Sequence, residues 1–256
     1  MPDFKEIKFD EAKHLSNSTY LIESKIDGCC MSWDKNSGEL ISERGCVRNN
    51  RFPHIVKELK QFPGNVQGEV AIPFGNVLTL NRKENWHKAK FYAFNPLDID
   101  DDPEKKRKEL EKIAGSGMGI NSTPIFKHIT IPFRWMNFKN AWKWVQKHGV
   151  EGLVFKSLLG DKNYKLKDWK EAKLKVVGHT DGKQKGAFQI LNVNGIISGI
   201  SGTSVAYVDK YKQLVAAGKE VWIELEYLFL TVDGVPFQPR LRRLDEKSEI
   251  LWKKVG

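Results

Sequence analysis

The sequence has little cysteine. Its 256 residues include three, Cys29, Cys30 and Cys46, and none of them stands in a C-x-x-C pair. An odd number of cysteines without that spacing argues against a disulfide framework and against a zinc site built from cysteine pairs. We therefore expect free thiols and a reducing compartment.

Long apolar runs are also absent. No stretch approaches the roughly 18 consecutive apolar residues of a membrane span. The first residues are of mixed charge and contain no apolar segment of the signal-peptide kind. The sequence thus predicts neither a membrane partner nor secretion, and it favours a cytoplasmic location.

Acidic residues are outnumbered by basic ones. The chain has 42 Lys and Arg against 32 Asp and Glu, which gives a formal net charge of +10. Such an excess favours a polyanionic partner, because cations that neutralise phosphates release bound counterions. Composition alone leaves this open, since many basic proteins bind no nucleic acid.

Periodicity and turn residues divide the chain into two parts. Strands and helices alternate up to about Lys173, and short strand-like runs with Gly-rich turns and one helix follow. Several short strands and one helix in about 80 residues are typical of a small OB-type barrel. We therefore predict an α+β chain with a larger domain over 1–173 and a small β-barrel over 174–256. The predicted strands are 20–26, 29–33, 39–42, 66–72, 90–99, 152–157, 175–178, 186–193, 195–200 and 221–230, and the predicted helices are 52–61, 103–113, 138–147 and 205–217.

The strongest chemical signal is Lys25-Ile26-Asp27-Gly28 at the predicted end of a strand. Alone, the pattern is also that of an ordinary charged turn. A lysine attacks phosphorus only as the neutral amine, a form that burial and neighbouring cations favour. A strand end that faces a cleft near other lysines meets both conditions.

Further motifs follow this lysine in a fixed order. They are Gln67-Gly68-Glu69-Val70, Phe91-Tyr92-Ala93-Phe94, Glu151 to Lys156 in an E-G-x-x-x-K pattern, Tyr164-Lys165-Leu166-Lys167, and a basic run from Pro239 to Lys247. Together they resemble the covalent nucleotidyltransferase superfamily, which comprises ATP-dependent DNA ligases, RNA ligases and mRNA capping enzymes. The resemblance to a minimal ATP-dependent DNA ligase extends from Lys25 to Lys247. It implies a nucleotidyltransferase (adenylation) domain followed by an OB-fold domain.

The resemblance implies roles for the lysine and the nearby carboxylates. Lys25 would form a lysyl-AMP phosphoramidate with ATP, and Asp27 would act in nick sealing near the 3′-hydroxyl. Glu69 would bind the ribose or a metal, and Glu151 would position the metal. Carboxylates suit Mg²⁺, which one or two of them hold together with phosphates, and Mn²⁺ is an expected substitute.

Four basic residues are expected at the phosphates. Lys165 and Lys167 alternate on a strand and so face one cleft, where they would neutralise charge that grows on the α-phosphate. Lys156 would reach the phosphates. Arg44, in Ser42-Glu43-Arg44-Gly45, resembles the family arginine that contacts the nucleotide or the 5′-phosphate, and its alternative is a solvated charge at a strand end.

Three apolar or aromatic residues are expected around adenine. Tyr92 and Phe94 share one face of a strand, and one of them would stack on the base, with Phe94 preferred. Ordinary core packing is the alternative for both. Val154 would pack on the other side of the base.

The basic run near the C-terminus resembles a motif that acts in the first reaction step. There the OB domain closes over ATP and orients the pyrophosphate. The alternative is a basic barrel surface that binds nucleic acid. The residues concerned are Arg240, Arg242, Arg243 and Lys247.

Two positions depart from the DNA-ligase pattern. Cys30 stands where an arginine is usual, and Asn95 stands where an aspartate is usual. The resemblance implies a monomeric enzyme that seals 5′-phosphate/3′-hydroxyl nicks in duplex DNA, located wherever the host DNA is, in replication, repair or recombination. The alternatives are an RNA ligase or an mRNA guanylyltransferase on the same scaffold, and a non-catalytic OB-type nucleic-acid binder.

Overall fold

The structure is a computed structural model that describes residues 3–99, 102–115, 125–181, 185–192, 194–245 and 252–253. The chain divides into two compact units, unit 1 over Met1–Lys167 and unit 2 over Asp168–Gly256. The boundary predicted at 173/174 falls within the first strand of unit 2. Within the described ranges, no helix is long and apolar enough to cross a membrane.

Unit 1 is built on two β-sheets. Its described strands are β1 (Phe4–Glu6), β2 (Tyr20–Lys25), β3 (Cys29–Asp34), β4 (Glu39–Ser42), β5 (Val66–Ala71), β6 (Lys90–Pro96), β7 (Ile129–Thr130), β8 (Arg134–Trp135), β9 (Gly152–Ser157) and β10 (Asn163–Lys167). Sheet A has the order β1-β10-β9-β2-β8, and sheet B has the order β4-β3-β5-β6-β7.

The helices of unit 1 begin and end at residues with clear cap chemistry. They are α1 (Phe9–Ala12), α2 (Pro53–Leu59), α3 (Val77–Asn81), α4 (Pro103–Ala114) and α5 (Phe138–His148), with a 3₁₀ turn at Lys83–Lys88. Asp102 accepts backbone N–H groups of the first turn of α4, whose first residue is Pro103. Gly149 ends α5 in the left-handed conformation, with φ of 63°.

Sheet A separates a core from a polar face. Ile22, Leu153 and Phe155 lie in one buried cluster with Val145 of α5. The residues that alternate with them on β2 include Glu23 and Lys25, which line a cavity in unit 1. The strand pairing places Lys25 opposite Gly152, and Gly152 opposite Lys167. Three strands therefore bring two lysines to one level of the sheet.

Sheet B has a buried side and a polar row. Trp33, Val70 and Phe91 belong to the largest core cluster of unit 1. Cys30 pairs with Glu69, and Glu69 pairs with Tyr92, so these three lie side by side across β3, β5 and β6. The register then shifts, because Gly68 pairs with Ala93 and Gln67 pairs with Asn95. This β-bulge leaves Phe94 as the extra residue of β6.

Unit 2 contains a curved set of strands and one helix. Its described elements are β11 (Lys170–Thr180), β12 (Lys185–Leu191), β13 (Ile197–Ser204), α6 (Val205–Ala216), β14 (Trp222–Tyr227), β15 (Arg240–Asp245) and β16 (Trp252–Lys253). The sheet order is β13-β12-β11-β14-β15, with β16 on β11. Phe188, Ile223 and Leu214 lie in its core. Over the described residues, the sheet is not closed into a barrel.

Candidate active site

One end of the cavity in unit 1 is built around a shared carboxylate. Lys25 Nζ lies 2.6 Å from Glu151 Oε2, and Lys167 Nζ lies 2.8 Å from Glu151 Oε1. The Glu151 side chain is 7% exposed. Gly152 permits this arrangement, since a Cβ there would lie 1.9 Å from the Leu166 carbonyl oxygen. The K-x-D-G, E-G and Y-K-x-K motifs of the sequence thus meet at one point.

Two further carboxylates crowd this end of the cavity. Burial raises the pKa of Asp27 to about 6, and the negative charge of Glu151 adds to the effect. Burial likewise raises the pKa of Glu69 to about 8; Lys25 opposes this increase, while Glu151 and Asp27 add to it. The Val77 backbone N–H donates to Asp27 Oδ2 at 3.3 Å. Negative charge is therefore concentrated here beyond what two lysines neutralise.

This crowding fits a bound Mg²⁺. Among the residues that the structure describes, no set of three or more His, Cys, Asp or Glu side chains is placed to hold a metal by itself. Mg²⁺ does not need such a cage, because one or two carboxylates with phosphate oxygens and waters suffice. Glu69 and Glu151 offer two hard oxygen ligands beside the lysines.

The cavity extends from this end to an aromatic end. Its volume is about 500 Å³, within the range of small-molecule sites. Its lining brings together six of the residues predicted from the sequence, namely Lys25, Glu69, Phe94, Val154, Lys156 and Lys165. Asp27, Glu151 and Lys167 adjoin it through their contacts and charges at Lys25.

Lys156 lies at the aromatic end, away from the catalytic lysine. Four residues along β9 separate it from Gly152, a rise of about 13 Å. Its Nζ lies 2.7 Å from Glu23 Oε2, 3.1 Å from the Phe94 carbonyl oxygen and 5.6 Å from the Phe94 ring centre. We expected Lys156 at the phosphates, and these contacts place its amine at the opposite end.

The structure separates the two aromatic candidates. Phe94 lines the cavity, where the bulge of β6 directs it. Tyr92 pairs with Glu69 and is not among the cavity-lining residues; burial raises the pKa of its hydroxyl to about 12. The stacking position therefore belongs to Phe94 on geometric grounds, while the stacking itself stays a prediction.

The wall beside Glu69 carries Glu43 in place of Arg44. Arg44 is exposed in the turn after β4 and does not line the cavity, whereas Glu43 does. Met31 pairs with Ser42, so Glu43 follows next to Cys30. Burial raises the pKa of the Cys30 thiol to about 12, with Glu69 and Glu43 adding to the effect. This wall is acidic where the sequence led us to expect a cation.

Two charged residues at the aromatic end were missed by the sequence reasoning. Glu23 and Arg107 are 2% and 3% exposed and form an ion pair at 2.7 Å. Glu23 precedes Lys25 by two residues on a strand, so its place on the cavity face follows from the same alternation that placed Lys25. Arg107 lies on a highly charged helix, and no local pattern distinguishes it from its solvated neighbours.

The basic run of unit 2 lies on β15. Arg240 stacks over the Trp169 ring at 4.0 Å, Arg242 pairs with Glu226, and Arg243 pairs with Glu224 at 3.0 Å and with Asp245 at 3.1 Å. Lys247 lies outside the described residues. The three arginines thus share one strand, and their predicted role in adenylylation stays a prediction.

Comparison with known proteins gives a fold. No protein-family model and no curated protein matches the chain. A Lig E DNA ligase, described as binding DNA with a minimal scaffold, matches 96% of this chain and 100% of its own at 18% identity, with a TM-score of 0.65. The ligase domain of LigD from M. tuberculosis matches 97% and 95% at 17% identity, with a TM-score of 0.54. The mycobacterial DNA ligase D complexed with ATP and MES matches 99% and 97% at 17% identity, with a TM-score of 0.51.

The chain has the fold of the ATP-dependent DNA ligases. This confirms the predicted architecture of a nucleotidyltransferase domain followed by an OB-type domain. Within this ligase fold, the cavity presents a lysine nucleophile beside other cations at one end and an aromatic ring at the other. Such an arrangement suits a nucleotide, with its phosphates beside Lys25 and its base beside Phe94.

Proposed function

We propose that the chain is an ATP-dependent DNA ligase that works through a lysyl-AMP intermediate. The observation that carries the proposal is the alignment of Lys25, Glu151 and Lys167 at one end of a nucleotide-sized cavity whose other end holds Phe94. The ligase fold adds support, as does the ATP bound by the mycobacterial relative in shape.

The first step would join Lys25 to AMP. One proton of the ammonium passes to Glu151, which accepts its hydrogen bond. The Nζ lone pair then attacks the α-phosphorus; the N–P bond forms, the bond from phosphorus to the bridging oxygen breaks, and pyrophosphate leaves with that electron pair. A second proton leaves the nitrogen as the phosphoramidate forms. Lys165 and Lys167 stabilise the charge that develops on the phosphate.

Divalent metal fits the same end of the cavity. Glu69 and Glu151 would hold Mg²⁺, which when bound neutralises phosphate charge. Until then, Lys25 and Lys167 compensate the carboxylate of Glu151. Ionisation of Glu69 is favoured by any added cation, because neighbouring negative charges and burial hold its pKa at about 8.

The aromatic end would bind adenine. Phe94 stacks on the base, and Val154, on the neighbouring strand of sheet A, packs on its other side. Lys156 and Glu23 supply a donor and an acceptor beside the ring. Base recognition and phosphate chemistry thus take place at two levels of sheet A, about 13 Å apart along β9.

The later steps would transfer AMP and seal the nick. An oxygen of the 5′-phosphate attacks the lysyl-AMP phosphorus, the N–P bond breaks, and Lys25 regains its protons. The 3′-hydroxyl oxygen then attacks the activated 5′-phosphorus and AMP leaves. Asp27 accepts the hydroxyl proton, and its pKa of about 6 suits a base that works near neutral pH.

Duplex DNA would be held through its phosphates. Three exposed lysines recur every fourth residue on α5, so they form one basic stripe on unit 1; they are Lys139, Lys143 and Lys147. Phosphate contacts position a protein without reading bases, which suits an enzyme that acts at any nick. The proposal places a monomer in the cytoplasm, or wherever the host DNA is, in replication, repair or recombination.

Labelled nucleotides test the central claim. Incubation with labelled ATP and Mg²⁺, followed by a denaturing gel, should show covalent AMP on the wild type and none on Lys25→Ala or Lys25→Arg, because arginine does not become a neutral nucleophile. GTP and NAD⁺ should give no label. Full labelling of Lys25→Ala would remove the proposal.

Nick substrates separate DNA ligase from RNA ligase. The acidic wall of Glu43 and Cys30 is the observation that keeps the second candidate, since DNA ligases usually place an arginine at the latter position. All-DNA, all-RNA and hybrid nicks with 5′-phosphates are compared at equal enzyme concentration. We expect the DNA nick to be joined fastest; efficient joining of RNA nicks alone would favour an RNA ligase.

A further inference from the structure

The base end of the cavity is connected to α4 by a buried ion pair. Arg107 NH1 donates to Glu23 Oε1 at 2.7 Å and to the Pro132 carbonyl oxygen at 2.6 Å, and its Nε donates to Glu111 at 2.7 Å. These three acceptors fix the planar guanidinium in one orientation. Arg107 is therefore held as firmly as a residue of the sheet, although it stands on a surface helix.

Glu23 is a link between Arg107 and the cavity. Its other carboxylate oxygen lies 2.7 Å from Lys156 Nζ, which also donates to the Phe94 carbonyl oxygen. Glu23, Phe94 and Lys156 line the nucleotide cavity and also a second cavity of about 470 Å³, which Arg107 lines from the side of α4. The chain of contacts from Arg107 through Glu23 to Lys156 thus forms the wall between two cavities.

We propose that Arg107 is a positioning residue for nucleotide binding, which holds Glu23 and through it Lys156 in place at the base end. This rests on the proposed function, because it takes the base to lie against Phe94. Arg107 itself touches no nucleotide. A single cation next to a buried carboxylate leaves it free to rotate towards that cation, whereas two cations on opposite oxygens fix the plane of the carboxylate.

Removal of Arg107 also changes the charge at the base end. Burial alone raises the pKa of Glu23, and Lys156 and Arg107 together outweigh it, so that the pKa lies below its usual value. Without Arg107, burial regains weight and the pKa rises. Glu23 then takes up a proton as the pH falls, and the protonated acid no longer holds the Lys156 ammonium by charge.

Other charges face Glu23 but remain constant in the assay range. Arg134 pairs with Glu23 across β2 and β8 and bonds to Glu104, and Asp3 lines the same cavity. Asp27 and Glu69 titrate nearby, with pKa values of about 6 and 8. Their effects cancel in the ratio between variant and wild type, so the ratio isolates Glu23.

The experiment compares Arg107→Met and Arg107→Lys with Leu110→Ala. Leu110 is buried on the same helix, so its truncation loosens the packing of α4 without touching the ion pairs. Single-turnover AMP labelling at increasing ATP concentration gives KM and the maximal rate from pH 6 to pH 8. The rise of Tm on addition of ATP reports binding without any covalent step.

We expect Arg107→Met to raise KM for ATP about tenfold with little change in the maximal rate, as befits loss of one charged hydrogen bond that acts on binding. The KM ratio to wild type should grow as the pH falls, and Arg107→Lys should lie in between. Leu110→Ala should lower Tm and leave KM unchanged. If Arg107→Met does not fold, Arg107→Lys decides the question.

Two outcomes overturn the inference and leave the proposed function standing: a KM for the Arg107 variants equal to that of wild type, or a KM rise shared by Leu110→Ala. A wild type that is stabilised by ATP but never labelled would contradict the ligase chemistry instead. In that case the Tm rise caused by ATP, lost in Arg107→Met and kept in Leu110→Ala, still supports the inference; equal Tm rises in all three proteins contradict it.

Discussion

Replacement of Lys156 by methionine tests which end of the nucleotide this residue serves. The methionine keeps most of the stem and removes the ammonium, which lies 2.7 Å from Glu23 and 3.1 Å from the Phe94 carbonyl oxygen. If the amine also donates to the base, the loss is one charge-assisted hydrogen bond, about 1.5–3 kcal/mol. KM for ATP should then rise roughly 10- to 100-fold.

The maximal rate of AMP transfer should change little in this variant. The distance of about 13 Å along β9 from the level of Lys25 places Lys156 beyond reach of charge that develops on the α-phosphate. Lys165→Met is the matched comparison, because Lys165 lies on the neighbouring strand opposite Val154, closer to Lys25. There the maximal rate should fall, since an interaction made in the transition state is lost.

Single-turnover labelling at varied ATP concentration measures both constants. ATP analogues in which one ring nitrogen is replaced by CH sharpen the test, because an analogue that lacks the contacted nitrogen should bind wild type and Lys156→Met equally well. The reasoning is refuted if Lys156→Met lowers the maximal rate with KM unchanged. Lys156 would then act on the phosphates, as the sequence pattern alone indicated.

Three further predictions concern the acidic wall, pH and DNA. Glu43→Ala should alter KM for ATP in the labelling assay while its exposed neighbour Arg44→Ala should not; the reverse result would restore Arg44 to the site. Glu69→Gln should raise Tm at pH 8 more than at pH 5, because a carboxyl whose pKa is raised to about 8 loses its stabilising contribution as the pH rises through that value, and thermal unfolding at both pH values checks this. Neutralising the α5 stripe should reduce the slope of log affinity for nicked DNA against log salt by roughly 0.9 for each phosphate that the variant no longer neutralises, as measured by titrations at several salt concentrations, and an unchanged slope would place the DNA elsewhere; the residues are Lys139, Lys143 and Lys147.

The sequence predicted most of the fold because hydrophobic alternation and turn residues are local signals. The strands at Glu39–Ser42 and Gly152–Ser157 have the predicted bounds, and the helices α4, α5 and α6 differ from prediction by one residue at an end. The strands that escaped prediction include β7 and β8, which have two residues each and are defined by their partners. Such short strands carry no period of their own.

The candidate site was predictable where side-chain direction follows from strand alternation. Lys25, Glu69, Val154 and Lys165 reach the cavity as expected. The position of Lys156 was not predictable, because a motif gives order along the chain and not the level at which a residue crosses the sheet.

Other features of the site depend on irregular backbone or on distant partners. The exchange of Arg44 for Glu43 depends on where β4 ends, a matter of one residue. Arg107 reaches Glu23 from 84 positions away, and no local pattern indicates that pairing.

The bulge in β6 has a consequence for how such a site can change. An extra residue at Phe94 turns the aromatic ring into the cavity without moving the ladder that holds Glu69 against Cys30. Substitutions at the bulge therefore alter which base is accepted while the reacting lysine and its carboxylates keep their positions. A protein of this build is able to acquire a new nucleotide preference and retain its bond-forming chemistry, since each is encoded at a different height of the same two sheets.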